Sequence, residues 1–306
     1  MILLSIFSSC LEGYNKNHDV APLVRMAENK LIKPYLKWAG GKRQLLPILE
    51  TNMPNFKGRY YEPFVGAGAL LFDKKPKKAT INDLNTQLML TYKVIQNNVE
   101  ELIELLQKHK DNNLKYGSKY YYEIREMDRD STFPTLKDEE KAARLIYLNK
   151  TCYNGLCRVN SQGLFNTPYG RYKNPSICEK EVLRAISDYF SKINIEILNV
   201  DFESAVEGAD KNDFVYFDPP YHTEETNFTG YQASGFDEEE QTRLRDCILN
   251  LTERKVKCLL SNSNTSFIRE LYKEKPFKIS TVNATRMINS DASGRGKVEE
   301  VLVKNW

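Results

Sequence analysis

From Lys33 onward the apolar residues fall into short runs of strand type, broken by glycine or acidic turns, and longer stretches of helical spacing. KPYLKWAGGKRQLLPILE reads as a loop running into a helix, and RYYEPFVGAGALLF as a strand that breaks at Gly66 and Gly68 and resumes as a helix. KKATINDLN is a short strand ending in Asp83. Residues 86–110 carry helical spacing, with Ile95, Val99, Ile103 and Leu106 on one face, and 138–149 predict another helix with Ala142, Leu145, Ile146 and Leu148 as its apolar set. The Gly-, Asn- and Pro-rich stretch 151–175 predicts an ordered loop or hairpin. Strands then recur at Ile193–Leu198, leading to Asp201, at Phe214–Phe217, leading to Asp218, and at Val256–Ser261, with a helix over about 238–250. Residues 277–304 predict two antiparallel strands flanking a polar loop.

Strand, glycine turn, helix and a second strand with a terminal acid open a doubly wound α/β domain. The pattern therefore predicts a Rossmann-like α/β sheet built from residues 33–92 and 180–306, closed by a C-terminal antiparallel hairpin. A mostly helical insertion, 93–179, separates the two segments. Residues 1–32 form an extension without clear periodicity, and Met26 is an alternative candidate for the natural start.

Composition narrows the class. The chain has 306 residues, 41% hydrophobic and 28% charged, with 18 Tyr and 14 Phe, which is enough apolar bulk for a core and excludes a disordered chain. Forty-four basic against 41 acidic residues give a formal charge of only +3, so global charge does not announce a polyanion partner. No apolar run reaches the length of a membrane helix. Six cysteines without a C-x-x-C pair are expected to be reduced packing residues of an intracellular, cytoplasmic protein. The three histidines lie at no metal-ligand spacing, so no metal site is expected.

The sharpest chemical signal is Asp218-Pro219-Pro220-Tyr221, directly after the apolar run FVYF. Ligands of open α/β sheets bind beyond the carboxyl ends of strands. Two prolines stiffen the turn and remove two backbone donors. Asp218 and the Pro219 carbonyl are then able to accept hydrogen bonds from one planar amino group, with Tyr221 against its ring. In Glu62-Pro63-Phe64-Val65-Gly66-Ala67-Gly68 the glycines admit either close approach of a cofactor or merely a tight turn, because Leu71 stands where a dinucleotide fingerprint needs glycine. Asp83 suits ribose hydroxyls and equally a helix cap. Lys37-Trp38-Ala39-Gly40-Gly41-Lys42 is not a triphosphate loop, since Leu36 and Arg43 break that pattern.

The order KWAGGK, EPFVGAGAL, IND, a long insertion and DPPY resembles the Dam-type DNA adenine-N6 methyltransferases of the alpha group. YNGLCRVNSQGLFNTPYGRYK, NFTGY at 227–231, LSN at 260–262 and RMINSDASGRGKVEEVLV extend the resemblance from about Lys33 to the end. It implies S-adenosylmethionine as methyl donor, with Trp38, Lys42, Glu62, Pro63, Phe64, Gly66, Gly68, Asp83, Asp201, Phe202 and Asp218 in its pocket. Asp218, Pro219, Pro220 and Tyr221 would hold a flipped adenine for direct methyl transfer. Within 93–179, Tyr153 and Asn154 match residues that wedge into the base stack, Arg158 the arginine that reads guanine, and Leu156 and Pro168 positions near the outer base pairs of GATC.

Lys150, Arg158, Arg171 and Lys173 make a local basic strip without an acid over 149–175, as phosphate contact requires. The run Lys74-Lys75-Pro76-Lys77-Lys78 reads instead as a solvated turn, and His222 as a bystander. The expected partner is duplex DNA, for a monomeric enzyme acting alone or beside a restriction endonuclease of the same site. No Pro-Cys dipeptide occurs, which excludes a cytosine-C5 mechanism. Transfer to cytosine N4, RNA or a protein amide, and a DNA-binding module without catalysis, are the competing readings.

Overall fold

The computed structural model describes residues 30–224, 236–285 and 297–306. The expectations resting on residues 1–29 (Met26 and Cys10 among them), on NFTGY at 227–231 and on 286–296 lie outside the described residues.

Seven strands form one sheet: β1 (Tyr60–Glu62), β2 (Lys78–Asn82), β3 (Asn194–Leu198), β4 (Phe214–Phe217), β5 (Lys257–Ser263), β6 (Lys278–Thr285) and β7 (Lys297–Lys304). Their order is β3-β2-β1-β4-β5-β7-β6. The first five pair parallel, and β7 enters antiparallel between β5 and β6. This is the expected doubly wound sheet with a C-terminal antiparallel hairpin.

The central strands are buried along their whole length because both faces are covered. The two-residue period of β4 divides its side chains. Phe214 and Tyr216 face a core built with α1 (Leu46–Asn52), α2 (Ala69–Lys74) and α3 (Thr86–Asn97). Val215 and Phe217 face a second core with α8 (Phe202–Ala205), α9 (Glu238–Glu253) and α10 (Ser266–Leu271). The expected helical stretch 86–110 is broken at Asn98, whose φ of −138° and ψ of 43° end α3 and start α4 (Val99–Tyr116). The break lets the Asn98 side chain donate to Glu139 of α6 (Asp138–Thr151).

The insertion is helical as its spacing predicts: α4, then α5 (Ser118–Glu126), then α6, before α7 (Lys180–Lys192) returns the chain to β3. Leu102, Tyr121, Ile146 and Phe165 belong to the same apolar cluster as Tyr60 and Phe72, so insertion and sheet share one core. The 151–175 stretch is a small hairpin, with bridges Cys152↔Tyr169 and Val159↔Phe165. Lys77 and Lys78 are exposed and Lys74 pairs with Glu50, at the end of β2 opposite the crevice, as a solvated turn requires.

Candidate active site

The chain winds outward in both directions from between β1 and β4, which makes their carboxyl ends the topological switch point. Gly66 follows β1 there and Asp218 follows β4.

Asp218 has only 17% of its side chain exposed, and Lys42 7%. Lys42 Nζ lies 2.8 Å from Asp218 Oδ1, donates to the Gly40 carbonyl at 2.7 Å and sits 4.6 Å from the centre of the Tyr221 ring. Oδ1 is buried and faces this ammonium. Burial is the main reason the Asp218 carboxyl is pushed up to about 6; Lys42 pulls it down and Glu300 of β7 pushes it further up. The Tyr221 hydroxyl donates to Glu300 Oε2 at 2.7 Å, which fixes the plane of its ring. Gln241 Nε2 takes the Pro220 carbonyl at 2.9 Å. Among the described residues no donor meets the carbonyl of buried Pro219.

Around the first glycine turn, Gly66 has φ +48°, and a side chain there would strike Trp38 Cδ1 at 2.9 Å. The Gly66 N–H donates to Asp83 Oδ2 at 3.2 Å, and the Asn85 N–H to Asp83 Oδ1 at 2.9 Å. Burial raises the Asp83 carboxyl. A Cβ at Gly68 (φ +70°) would meet the Tyr92 hydroxyl at 2.8 Å, while that hydroxyl donates to the Gly66 carbonyl. Phe64 and Phe202 lie 5.5 Å apart, and Arg243 stacks on Phe202 while pairing with Asp201 at 2.6 Å. Trp38, Phe64, Gly66, Asp83, Asp201, Phe202 and Asp218 thus line one edge of the sheet. Glu62 and Pro63 are buried beneath it. Glu62 accepts from the Tyr60 hydroxyl, and its own burial pushes it up to about 8. The Pro63 carbonyl accepts from Asn82 Nδ2.

In the hairpin of the insertion, Tyr153, Arg158, Pro168, Arg171 and Lys173 are exposed, and Asn154 and Leu156 half-buried. Asn154 takes a left-handed φ of 55°, which its short polar side chain tolerates. Arg158 Nε donates to Asn166 Oδ1 at 2.9 Å, so its guanidinium is held ready. Lys150 departs from the expected strip. Its ammonium is 2.5 Å from Glu179 Oε2 and 11% exposed, because the acid just beyond the 149–175 window folds back onto it. The His222 ring bonds Thr265 Oγ1 through Nδ1 at 2.9 Å and Glu238 Oε1 through Nε2 at 3.3 Å. Burial pushes the thiols of Cys152, Cys157 and Cys247 up to about 12, 11 and 12, as packing cysteines require.

Sequence reasoning passed over Lys37, Glu300 and Gln241. Exposed Lys37 lies 4.5 Å from the Tyr172 ring, on the side of the hairpin. Gln241 carried a readable signal, for it is the polar member of a helical stripe whose other members are Leu244, Ile248 and Leu251. Glu300 carried none beyond its place in a strand.

Comparison with known proteins identifies the family. The profile of the D12 class N6 adenine-specific DNA methyltransferases matches residues 38–288. The chain is 45% identical to type II methyltransferase M1.LlaDCHI of Lactococcus lactis subsp. cremoris, over 92% of this chain and 98% of that one. It is 42% identical to type II methyltransferase M.MjaIII of Methanocaldococcus jannaschii, over 90% and 99%. With the DNA adenine methylase of Escherichia coli K12 it shares 33%, over 88% and 94%. The chain belongs to the D12 class of adenine-N6 DNA methyltransferases.

Proposed function

We propose that this enzyme methylates adenine within GATC in duplex DNA, after flipping the base out of the helix. The observation that carries the chemistry is a mostly buried Asp218 at the end of β4, held by Lys42 at 2.8 Å, beside a Tyr221 ring pinned by Glu300.

Membership of this family implies S-adenosylmethionine as donor. The residues present fit that molecule. The Asp83 carboxylate suits ribose hydroxyls, and half-buried Phe64 offers an aromatic face for its adenine, backed by buried Phe202 and with Asp201 beside it. Gly66 turns beneath the wall of Trp38, beside the methionine part, and the space over Gly68 is filled by Tyr92 and Phe72, which support that turn. When bound, the cofactor supplies an electrophilic sulfonium methyl group.

The exocyclic nitrogen of the target adenine is a poor nucleophile because its lone pair is delocalised into the ring. Asp218 and the Pro219 carbonyl accept its two N–H bonds, which holds the lone pair out of the ring plane. Tyr221 supports the face of the base. Orientation of this kind contributes up to ~7–11 kcal/mol when alignment is ideal, and fixed dipoles add to it. The alkylated nitrogen is strongly acidic and sheds its proton without a dedicated base. Flipping itself costs a few kcal/mol.

The segment 93–179 acts as the target-recognition part, and 33–92 with 180–306 as the catalytic part. Tyr153 and Asn154 enter the stack, Leu156 and Pro168 meet the outer pairs, and Arg158 reads guanine through its O6 and N7. Arg171 and Lys173 contact phosphate. The protein works as a monomer in the cytoplasm. The type II relatives, at 45% and 42% identity against 33% for the Escherichia coli adenine methylase, favour a role beside a restriction endonuclease of the same site.

The test is transfer of labelled methyl groups to two duplexes, one with GATC and one with it scrambled, followed by nucleoside analysis. N6-methyladenine on the GATC duplex alone, lost in Asp218→Ala, is the expected result. Equal methylation of both duplexes would overturn the sequence assignment.

A further inference from the structure

Behind the Asp218–Tyr221 segment lies a closed hydrogen-bonded ring that touches no reacting atom. Gln241 of α9 and Asn262 of β5 are both fully buried. The Gln241 Nε2 amide donates to the Pro220 carbonyl at 2.9 Å, Asn262 Nδ2 donates to Gln241 Oε1 at 2.9 Å, and the His222 N–H donates to Asn262 Oδ1 at 3.2 Å. The backbone from Pro220 through Tyr221 to His222 completes the ring. Ser263 ties it down twice, donating its N–H to Asn262 Oδ1 at 2.8 Å and its hydroxyl to the His222 carbonyl at 2.6 Å.

The ring has a direction. Two backbone N–H groups, those of His222 and Ser263, converge on one atom of Asn262, and only an oxygen can accept both. Asn262 must therefore turn its NH2 to Gln241, which must answer with oxygen and turn its own NH2 to Pro220. Reversing either amide sets donor against donor or acceptor against acceptor. A polar side chain on the otherwise apolar stripe of Leu244, Ile248 and Leu251 costs desolvation, which only complete pairing offsets. Its effect is to engage the Pro220 carbonyl and fix the peptide planes on both sides of Tyr221.

We propose that Gln241 and Asn262 are positioning residues that set which carbonyl of the two prolines faces the target amino group. They hold back that of Pro220 and aim that of Pro219. The proposal rests on the reading of Asp218 and Pro219 as the acceptors of that group.

Single-turnover methylation with cofactor and duplex pre-bound tests it. Gln241→Met keeps length and removes both hydrogen bonds, and its rate constant is expected to fall about 10- to 100-fold, the scale of a misplacement near 1 Å. S-adenosylmethionine affinity and the fluorescence of 2-aminopurine at the target position, which reports flipping, stay at wild-type values. A merely destabilised enzyme would lose amplitude and keep its rate constant. Asn262→Asp retains the acceptor for His222 and Ser263 but sets a carboxylate oxygen against Gln241 Oε1, so a loss in the same direction is expected. It carries the test where Gln241→Met does not fold. A wild-type rate constant in whichever variant folds overturns the proposal. Asp218→Ala separates the two levels: activity surviving there removes the underlying reading. An inactive Asp218→Ala beside fully active Gln241 and Asn262 variants removes only the positioning role.

Discussion

The Lys42 ammonium stands 2.8 Å from Asp218 Oδ1 and 4.6 Å from the centre of the Tyr221 ring, so one buried cation touches both ends of the same four-residue segment. It opposes the desolvation that drives Asp218 toward its neutral form, while Glu300, bonded to the Tyr221 hydroxyl, acts in the other direction.

A pH dependence follows. Asp218 titrates at about 6 in the free enzyme, being protonated below and ionised above. The ionised carboxylate is the better acceptor for an amino group, so kcat/KM is expected to fall as pH drops through about 6. Lys42→Met removes the lowering influence and moves that limb to higher pH, whereas Glu300→Gln removes a raising one and moves it lower. Steady-state profiles of the three proteins check this, and identical limbs in all three would refute it.

Gly66→Ala joins two faults. The residue sits at φ +48°, and the added carbon would lie 2.9 Å from Trp38 Cδ1. Destabilisation of about 1–3 kcal/mol is expected from the backbone alone. The Trp38 wall must also shift, weakening S-adenosylmethionine binding in calorimetry. Unchanged affinity would remove Trp38 and Gly66 from the pocket.

Arg158→Ala is expected to cost about 1–3 kcal/mol of discrimination at one guanine, read as relative kcat/KM on duplexes altered at that position. A uniform loss on every duplex would make Arg158 a phosphate contact instead.

Arg144 is fully buried with its guanidinium 2.8 Å from Asp128 Oδ2 and bonded to the carbonyls of Ile124 and Arg125. Asp128 in turn accepts from the Phe165 N–H, tying the hairpin that carries Arg158 to α6. Arg144→Leu leaves Asp128 with Arg129 as its remaining partner and strips the Ile124 and Arg125 carbonyls of their donor, and is expected to cost about 1–3 kcal/mol in urea denaturation. Arg144→Leu with Asp128→Leu should recover part of that loss. A double variant no more stable than the single one would show that the hairpin tie, and not the weakened pairing of Asp128, sets the cost.

Much of the fold was legible because strands and turns are written in neighbouring residues. FVYF, KATIN and the glycine pair behave as their local chemistry requires, and the order of motifs placed Asp218 and Gly66 at strand ends. The break at Asn98 escaped, because apolar spacing continues through it and only its contact with Glu139 of a later helix favours the interruption.

The sequence by itself determined which segments become strands, where the chain turns, and which residue types reach the carboxyl edge of the sheet. Backbone preference and hydrophobic period act over a few residues, so they are visible along the chain. Only the tertiary structure decided that Lys42 meets Asp218, that Glu179 withdraws Lys150 from the basic strip, and that Gln241 and Asn262 engage Pro220 and His222. Those pairings depend on which distant segments the strand order brings to one edge, and on buried charges and amides finding partners once water is excluded.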